Sequence, residues 1–432
     1  MHFSKQLLTI SLTVLLVLTA CCSCTIWAGK RALNWLSFEV TWWVVNRSYF
    51  DPTFGGVDWQ ALRARYRRQV AFASDPDYYR LVNEMLWQLD ISHLAVIPPG
   101  YWALVEPSVL AEGSTGIDVR LLDGEAVITS VEPGSPADNA GLRPGFVIQS
   151  IDGSTMDQIA TEAIPGMEPP DNERHRTEAI TSGILGRICG PPGTDVTIVY
   201  LDEQGQQLQS SMERRSRPGR TASGPGLPPS FLEFESRRLD GGIGYIRFNW
   251  FHAALAEQLP RAIASMHDAP GLIIDLRGNP GGMRDAARAG ARSLVRDRCQ
   301  CATLRSRDGT RGVVLDPASE GYGGPVVVLI DVMSKSSSEF FAACTQATGR
   351  SVVIGERSPG SVGPAGLLPL PNGATLIYPT AQESTLDGTI LEDHGVIPNM
   401  EVPLDRALLL QGRDSQLEAA IGHIERGLEE AK

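Results

Sequence analysis

The sequence predicts an α/β multidomain chain with a helical unit towards its N-terminal end. In the C-terminal half, the apolar runs Leu272–Ile274 and Val326–Ile330 are typical of buried strands, and a helical segment follows each run. Strands that alternate with helices favour a mostly parallel sheet covered by helices. Between Asp58 and Leu89 the apolar residues recur with helical spacing. The 432 residues suffice for two to three domains.

Residues 1–20 have the pattern of a signal peptide. Lys5 precedes an apolar core that begins at Leu7 and is too short to span a membrane as a stable helix. The next feature, Leu18–Cys21 (LTAC), resembles the bacterial lipobox. This resemblance implies that Cys21 becomes the acylated N-terminus and anchors the protein to a bacterial cell-envelope membrane, facing the periplasm or the exterior. A plain signal peptide and an uncleaved anchor are the alternatives.

Several short segments between residues 113 and 204 together resemble a PDZ domain. They are Gly116–Leu121, Val131–Ala137, Ala140–Gly145, Ile148–Gly153 and Gly193–Ile198. PDZ domains bind extended peptides by strand addition and hold a terminal carboxylate on backbone N–H groups. The resemblance implies that Gly116 and Ile117 lie nearest to that carboxylate. The alternative is a domain that serves only as a structural lid.

A buried strand that runs into a glycine-rich turn is the first landmark of the C-terminal half. The segment Asp275–Gly282 reads DLRGNPGG, and a probable helix follows from Met283 to Val295. Gly281 and Gly282 allow positive φ and let a substrate carbonyl approach backbone N–H groups closely. The segment matches neither G-x-G-x-x-G nor the P-loop pattern, which argues against nucleotide binding. A purely structural turn is the alternative.

The second landmark is Ser336, which directly precedes a predicted helix. Ser336 and Glu339 have the S-x-x-E spacing of a capping box, so Ser336 should be the N-cap residue. At this position a serine meets the positive end of the helix dipole and free backbone N–H groups, which suits a nucleophile whose product is an oxyanion. A serine that only caps the helix is the alternative.

Four landmarks in this order resemble the tail-specific (C-terminal processing) serine protease family and its tricorn relatives. They are Asp275–Gly282, Ser336–Glu339, Val353–Glu356 and Asp387–Pro398. The resemblance extends from about Phe50 to Pro403. It implies a β-β-α superhelical core of the ClpP/crotonase-like type and a serine endopeptidase that acts on polypeptides. It also implies an oxyanion hole formed by the Ser337 N–H and a backbone N–H of Gly281 or Gly282.

The chain departs from the bacterial branch of this family at the general base. That branch pairs its serine with a lysine, and Ser361 stands at the matching position. Of the four lysines, Lys5, Lys30 and Lys432 lie near the ends of the chain, and Lys335 should point away from Ser336. Arginine cannot replace lysine, because its pKa is too high for it to lose a proton. A Ser-Lys dyad is therefore not expected.

A histidine is the usual alternative base for a serine nucleophile. His93 follows Ser92 at the end of an apolar helical pattern, and this pair resembles the Ser-His pair of the tricorn branch. The resemblance implies that Ser336 attacks, that His93 transfers the proton, and that Ser92 and Glu392 orient the imidazole. His252 and His394 are the reserve candidates for the base.

Charge and cysteine content exclude several other functions. The formal net charge of −12 argues against binding of nucleic acid or anionic lipid by the body of the protein. Four cysteines lie beyond the N-terminal segment, at Cys189, Cys299, Cys301 and Cys344, and their spacing fits no metal site. No disulfide framework is evident from this spacing, and we expect no metal or other cofactor.

These observations predict an envelope-anchored serine endopeptidase of the tricorn-like branch. A catalytically inactive PDZ scaffold that binds peptides, or a ligand-binding use of the same core, is the alternative. The predicted boundaries are a lipoprotein signal peptide over 1–20, an N-terminal helical domain over 21–112, a PDZ domain over 113–204, a linker or exposed hairpin over 205–228, a protease core over 229–412 and a C-terminal helix over 413–432.

Overall fold

The computed structural model describes residues 29–101, 106–163, 173–217, 220–224, 227–318 and 321–430. The predicted signal peptide and Cys21 lie outside these residues. The chain divides into two compact units, each discontinuous in sequence. Unit 1 comprises the described residues of 29–99 with 366–378, and unit 2 comprises those of 100–365 with 379–430. Among the described residues, no helix combines the length and the apolar character that are needed to cross a bilayer.

The helices are numbered along the chain. They are α1 over 29–48, α2 Trp59–Val70, α3 Asp75–Trp87, α4 Pro107–Leu110, α5 Pro136–Asn139, α6 Met156–Ala163, α7 Glu173–Ile188, α8 Leu255–Ser265, α9 Arg284–Arg292, α10 Ser337–Ala347, α11 Arg406–Leu409 and α12 Ser415–Glu430. Short 3₁₀ turns cover Phe54–Gly56 and Asp240–Gly242.

The strands are numbered in the same way. They are β1 Ala95–Ile97, β2 Gly113–Ser114, β3 Ile117–Leu122, β4 Glu125–Val131, β5 Val147–Ile151, β6 Ser154–Thr155, β7 Asp195–Leu201, β8 Gln207–Glu213, β9 Arg215–Ser216, β10 Arg220–Gly224, β11 Leu227–Leu232, β12 Phe234–Arg238, β13 Gly244–Phe248, β14 Leu272–Asp275, β15 Cys299–Ser306, β16 Gly309–Leu315, β17 Val326–Ile330, β18 Val352–Gly355, β19 Ala365–Pro369, β20 Thr375–Pro379, β21 Ala381–Ser384 and β22 Met400–Glu401.

Unit 1 is a helical body that carries a small sheet. Helix α2 begins at the N-cap Asp58, whose carboxylate accepts a hydrogen bond from the Ala61 N–H (2.9 Å), and α3 begins at the N-cap Ser74. The buried faces of α1, α2 and α3 share one apolar core. Strand β1 follows α3 and pairs antiparallel with β20, in the order β1-β20-β19. Residues 366–378, predicted to belong to the protease core, thus complete unit 1.

The segment predicted as a PDZ domain forms a sheet in the order β3-β4-β5-β7-β8, with α5 and α7 packed on its core. All neighbouring pairs in this sheet are antiparallel. Part of the predicted linker is strand: β8 pairs with β7 along its whole length, and β9 pairs with β2. Strands β10 and β11 form the hairpin that the sequence offered as the other option.

The protease core is built on a sheet with the order β12-β13-β14-β17-β18-β22, parallel from β13 onward. Alternate residues of each strand face opposite sides. Ile274 and Val328 belong to the core that includes residues of α8, α9 and α10, whereas Ile273 and Val327 pack with α12. Asp275 lies beside Leu329, so β14 and β17 end at the same edge. The glycine-rich turn and the loop before Ser336 both leave the sheet there.

The cysteine spacing indicates no disulfide framework, and this prediction is wrong for one pair of cysteines. Cys301 on β15 and Cys344 on α10 form a disulfide between two fully buried positions. The two residues are 43 positions apart, and only the packing of β15 against α10 brings them together. Cys189 and Cys299 carry free thiols. Among the described residues, no group of His, Cys, Asp and Glu could hold a metal ion.

Candidate active site

Ser336 lies where the chain enters α10, in a backbone conformation that is rare for a residue with a side chain (φ 53°, ψ −112°). Such a conformation costs about 1–3 kcal/mol and persists only where the surrounding structure imposes it. Here the Ser336 N–H donates to the Ser361 carbonyl (2.9 Å) and to Glu339 Oε2 (3.0 Å). The Glu339 contact is one half of the predicted capping box. Strain at this residue, at the start of a buried helix, is typical of a functional site.

The glycine-rich turn lies directly against Ser336. A Cβ at Gly281, which has φ +99°, would lie 2.7 Å from the Ser336 Cβ and 2.8 Å from the Ser337 nitrogen, so only glycine fits. The Gly281 N–H donates to Asn279 Oδ1 (2.9 Å). The Gly282 carbonyl accepts a hydrogen bond from Ser337 Oγ (2.7 Å), which fixes the orientation of that peptide. The Gly281 N–H, one of the predicted oxyanion donors, therefore already donates to an acceptor within the protein.

The predicted Ser-His pair lies in unit 1, in the short segment between α3 and β1. Ser92 Oγ is 2.9 Å from His93 Nδ1, and both residues are half-buried. Asn83 of α3 anchors the following strand, because its amide donates to the Val96 carbonyl (3.1 Å) and accepts from the Val96 N–H (2.7 Å). Glu392, half-buried, lies in unit 2. The roles assigned to His93, Ser92 and Glu392 stay predictions.

Lys335 does not have the environment of a general base. Its ammonium is held by Glu178 (2.7 Å) and Glu106 (3.0 Å). Burial disfavours the charged ammonium, but the two carboxylates outweigh burial and raise the pKa of Lys335. The residue is thus held in the charged form, which cannot accept a proton. The residue is buried, with 9% of its surface exposed.

His175 is not among the bases predicted from the sequence. The structure places it on α7, with Nε2 3.5 Å from Ser361 Oγ and Nδ1 3.6 Å from Asp393 Oδ1. Burial lowers the pKa of His175. Of the two reserve bases, His252 is buried and its Nδ1 accepts the Ala254 N–H (3.2 Å), whereas His394 is exposed.

Glu339 makes more contacts in the site than its role as part of the helix cap requires. Its side chain is fully buried, and Oε1 accepts hydrogen bonds from Ser358 Oγ (2.6 Å) and the Gly360 N–H (2.8 Å). Burial raises the pKa of Glu339 to about 7, against the opposing effect of these hydrogen bonds. The carboxyl group thus ties the start of α10 to the loop that runs to Ser361.

This raised pKa predicts a pH-dependent stability that Glu339→Gln should remove. From the ordinary value of 4.5 up to about 7, the folded state binds the proton more tightly than the unfolded state. The contribution of Glu339 to the free energy of unfolding is therefore fully present below about pH 4.5 and is lost as the pH rises through about 7. When the pH rises from 5 to 8, the free energy of unfolding of the wild type should therefore fall by on the order of 3 kcal/mol relative to that of Glu339→Gln. Urea denaturation at the two pH values measures this difference.

The matched control for this prediction is Glu425→Gln, which changes an exposed carboxyl group on α12. Its unfolding free energy should follow that of wild type at both pH values. A constant difference between wild type and Glu339→Gln would show that Glu339 is ionised throughout the range.

Gly116 and Ile117, the predicted peptide-binding residues, line a cavity of about 740 Å³ in unit 2. Leu185 of α7 and Arg247 of β13 line it as well, so it lies between the PDZ sheet, α7 and the protease core. The Gly116 N–H donates to Ser114 Oγ (3.0 Å). A Cβ at Gly116 would lie 2.3 Å from the Ser135 Cβ, so this turn requires glycine.

A buried ion pair joins this PDZ sheet to the loop before Ser336. Arg120 Nε of β3 donates to Asp331 Oδ2 (2.6 Å). The other oxygen of Asp331 accepts the N–H groups of Gly278 (3.0 Å) and Met333 (3.0 Å). One carboxylate therefore connects the PDZ sheet, the glycine-rich turn and the approach to the nucleophile.

Comparison with known protein families decides the identity of the core. The family model of peptidase family S41 matches residues 242–402, which include the glycine-rich turn and Ser336. These residues form a peptidase family S41 domain. The tricorn protease C1 domain matches residues 37–87, and a PDZ domain matches residues 127–164. With an S41 domain behind a PDZ domain, the chain is a serine-type peptidase, as the sequence predicts.

Relatives along nearly the whole chain agree with the S41 assignment. A carboxyl-terminal-processing protease of Synechocystis is 26% identical over 397 residues, which are 90% of this chain and 86% of the relative. A putative tricorn protease homolog of Streptomyces coelicolor is 27% identical over 401 residues, which are 87% of this chain but only 31% of that protein. The predicted resemblance to C-terminal processing and tricorn proteases is confirmed.

Two solved structures that are similar to this chain along most of its length confirm the fold class. The photosystem II D1 C-terminal processing protease has a TM-score of 0.57 at 23% identity, covering 87% of this chain and 94% of that one. Mature CPAF complexed with lactacystin has a TM-score of 0.60 at 12% identity, covering 93% and 99%. The predicted α/β architecture, with a PDZ domain and a protease core, is therefore correct.

Proposed function

We propose that this peptidase cleaves peptide bonds through an acyl-enzyme on Ser336, with His93 as the general base. The observation that carries the proposal is the strained Ser336 at the start of α10, packed against a turn where only glycine fits. The Ser92–His93 contact supports the choice of base, and the charged, paired Lys335 argues against a lysine base.

The mechanism follows from these groups. Ser336 Oγ attacks the scissile carbonyl carbon, and its proton passes to His93 Nε2. The oxyanion is stabilised by the N–H groups of Gly282 and Ser337, since Gly281 donates to Asn279. Collapse of the tetrahedral intermediate breaks the C–N bond, and the leaving amine takes the proton from His93. Water then hydrolyses the ester by the same steps, while Ser92 and Glu392 keep the imidazole oriented.

A fluorophosphonate probe tests this function on the intact protein, since it modifies only an activated serine. Native wild type should be labelled and should cleave an unfolded polypeptide, and denatured protein should not be labelled. A native protein that neither reacts with the probe nor cleaves polypeptides would favour the alternative, a catalytically inactive PDZ scaffold.

We further propose that the cavity beside Gly116 and Ile117 receives the C-terminal end of the substrate. The cavity is bounded by β3, the strand to which an added peptide strand would pair in a PDZ domain. Amidation of the substrate's C-terminus should then raise KM about 10-fold and change kcat little, because one charged contact is lost at a distance from the chemistry.

The control for this experiment is a small ester substrate, whose hydrolysis is independent of the cavity. Deleting residues 113–204 is a less selective test, because deletion also removes Arg120 and Glu178, which contact the loop before Ser336. Equal KM values for the acid and the amide would contradict recognition of the carboxylate.

Envelope anchoring through Cys21 is likewise a proposal. Besides the lipobox-like sequence, an exposed apolar stripe on α1 supports it. Leu33, Leu36 and Trp43 are 42%, 44% and 56% exposed and lie on one face of this helix, with the Arg47 guanidinium 5.7 Å from the Trp43 ring centroid. Apolar side chains beside a tryptophan and an arginine are typical of a surface that rests on a membrane.

Cys21→Ala should abolish acylation and release most of the protein from the membrane fraction or leave it unprocessed. Cys24→Ala, three positions further on, is the matched control and should remain acylated on Cys21. Mass spectrometry of the N-terminal peptide and sedimentation of the membranes provide the readout. A mature N-terminus beyond Cys24 without an acyl group would refute the lipoprotein assignment.

A further inference from the structure

Three charged side chains form a cluster directly before the nucleophile. Lys335 is 9% exposed, and its ammonium contacts the carboxylates of Glu178 on α7 and Glu106 at the start of α4. These partners are distant in the sequence, at 157 and 229 positions from Lys335. A single ammonium therefore fastens two remote helices to the residue that precedes Ser336.

Stability alone does not explain such a cluster. The free energy needed to desolvate the charges is about as large as the free energy that their attraction provides. Well-packed apolar residues therefore often replace a buried ion pair without loss of stability. The place of the cluster is more informative. The Lys335 N–H donates to the Asn279 carbonyl (3.1 Å), and its own carbonyl accepts the Ser338 N–H (2.9 Å). Lys335 is thus fixed at its backbone and at the far end of its side chain.

Ser336 depends on this fixed neighbour. Its backbone conformation is unfavourable by itself, and a small rotation about the bonds between residues 335 and 336 would displace Oγ. A displacement of a reacting group by about 1 Å can reduce an enzymatic rate by about 100-fold. The contacts that hold Ser336 from the C-terminal side come from Glu339 and Ser361, whereas the Lys335 side chain anchors the N-terminal side.

We propose that Glu178 and Glu106 are positioning residues for the nucleophile. By holding the Lys335 ammonium, they fix the backbone through which Ser336 presents its hydroxyl group. The proposal rests on the function proposed above for Ser336 and adds two residues that do not touch the substrate. It also assigns a role in catalysis to α7, since this helix carries Glu178.

Glu178→Gln is the test, because it keeps the shape and an oxygen acceptor but removes one charge. We expect kcat and the rate of fluorophosphonate labelling to fall together by about 10-fold, with KM within about 2-fold of wild type. The matched control is Glu162→Gln, which removes the ion pair of Glu162 with Arg187 of α7 and leaves Lys335 untouched. It should retain both rates.

The melting temperature and the conservative variant Glu178→Asp separate positioning from folding. Glu178→Asp keeps the charge and should recover part of the labelling rate, and it also replaces Glu178→Gln if that variant does not fold. Glu178→Gln with a lower melting temperature but unchanged kcat and labelling rate would overturn the proposal, as would an equal loss in Glu162→Gln. A wild type that is never labelled would instead refute the function proposed for Ser336.

Discussion

Ser336→Ala should abolish fluorophosphonate labelling and reduce kcat/KM by on the order of 10³-fold or more. The change removes only the attacking oxygen, and the residual rate reflects binding and the oxyanion donors. Alanine tolerates the positive φ of position 336 no worse than serine, and the N–H donation to Glu339 is a backbone contact. Alanine does lose the hydroxyl half of the capping box, so the melting temperature should fall by a few degrees at most.

Ser337→Ala is the matched control, one residue further along α10. Its hydroxyl group donates to the Gly282 carbonyl, so its loss should loosen the glycine-rich turn and lower kcat moderately while labelling persists. Labelling that survives in Ser336→Ala and disappears in Ser337→Ala would move the nucleophile by one position.

The parts of the site that sequence reasoning predicts are those encoded in neighbouring residues. A fully apolar run ends at Ile330, and S-x-x-E spacing follows at Ser336, so strand, loop and helix start could be placed without coordinates. The same holds for the glycine-rich turn, because Asn279, Gly281 and Gly282 lie within one short segment. Local order of this kind fixes backbone geometry, and the structure reproduces it.

The features that sequence reasoning missed all depend on contacts between distant segments. The residues around Lys335 in the sequence do not indicate that it pairs with Glu106 and Glu178. Likewise, the residues around Cys301 do not indicate its disulfide with Cys344. His175 follows a polar, proline-rich stretch, whose composition is typical of a surface loop, yet α7 packs it beside Ser361. Buried charge and disulfide pairing are tertiary properties, which a single sequence does not display.

His93→Ala is the second variant for which we expect a loss of about 10³-fold or more in kcat/KM. The substitution removes the imidazole that we propose as the base, and the charged Lys335 cannot replace it. Lys335→Ala is a poor comparison, because it would leave two buried carboxylates without their cation. The better control is His267→Ala, which removes an exposed histidine at the end of α8.

The pH profile distinguishes a base from a structural histidine. With a histidine base, kcat/KM should rise with pH through the range in which an imidazole loses its proton, about pH 6 to 7. Ser92→Ala and Glu392→Gln should give intermediate losses, since they orient the imidazole without transferring the proton. Full activity in His93→Ala would refute the tricorn-like assignment and make His252, His394 or His175 the next candidate. A rate that falls in His93→Ala while the remaining activity keeps the same pH profile would indicate that His93 supports the fold rather than the proton transfer.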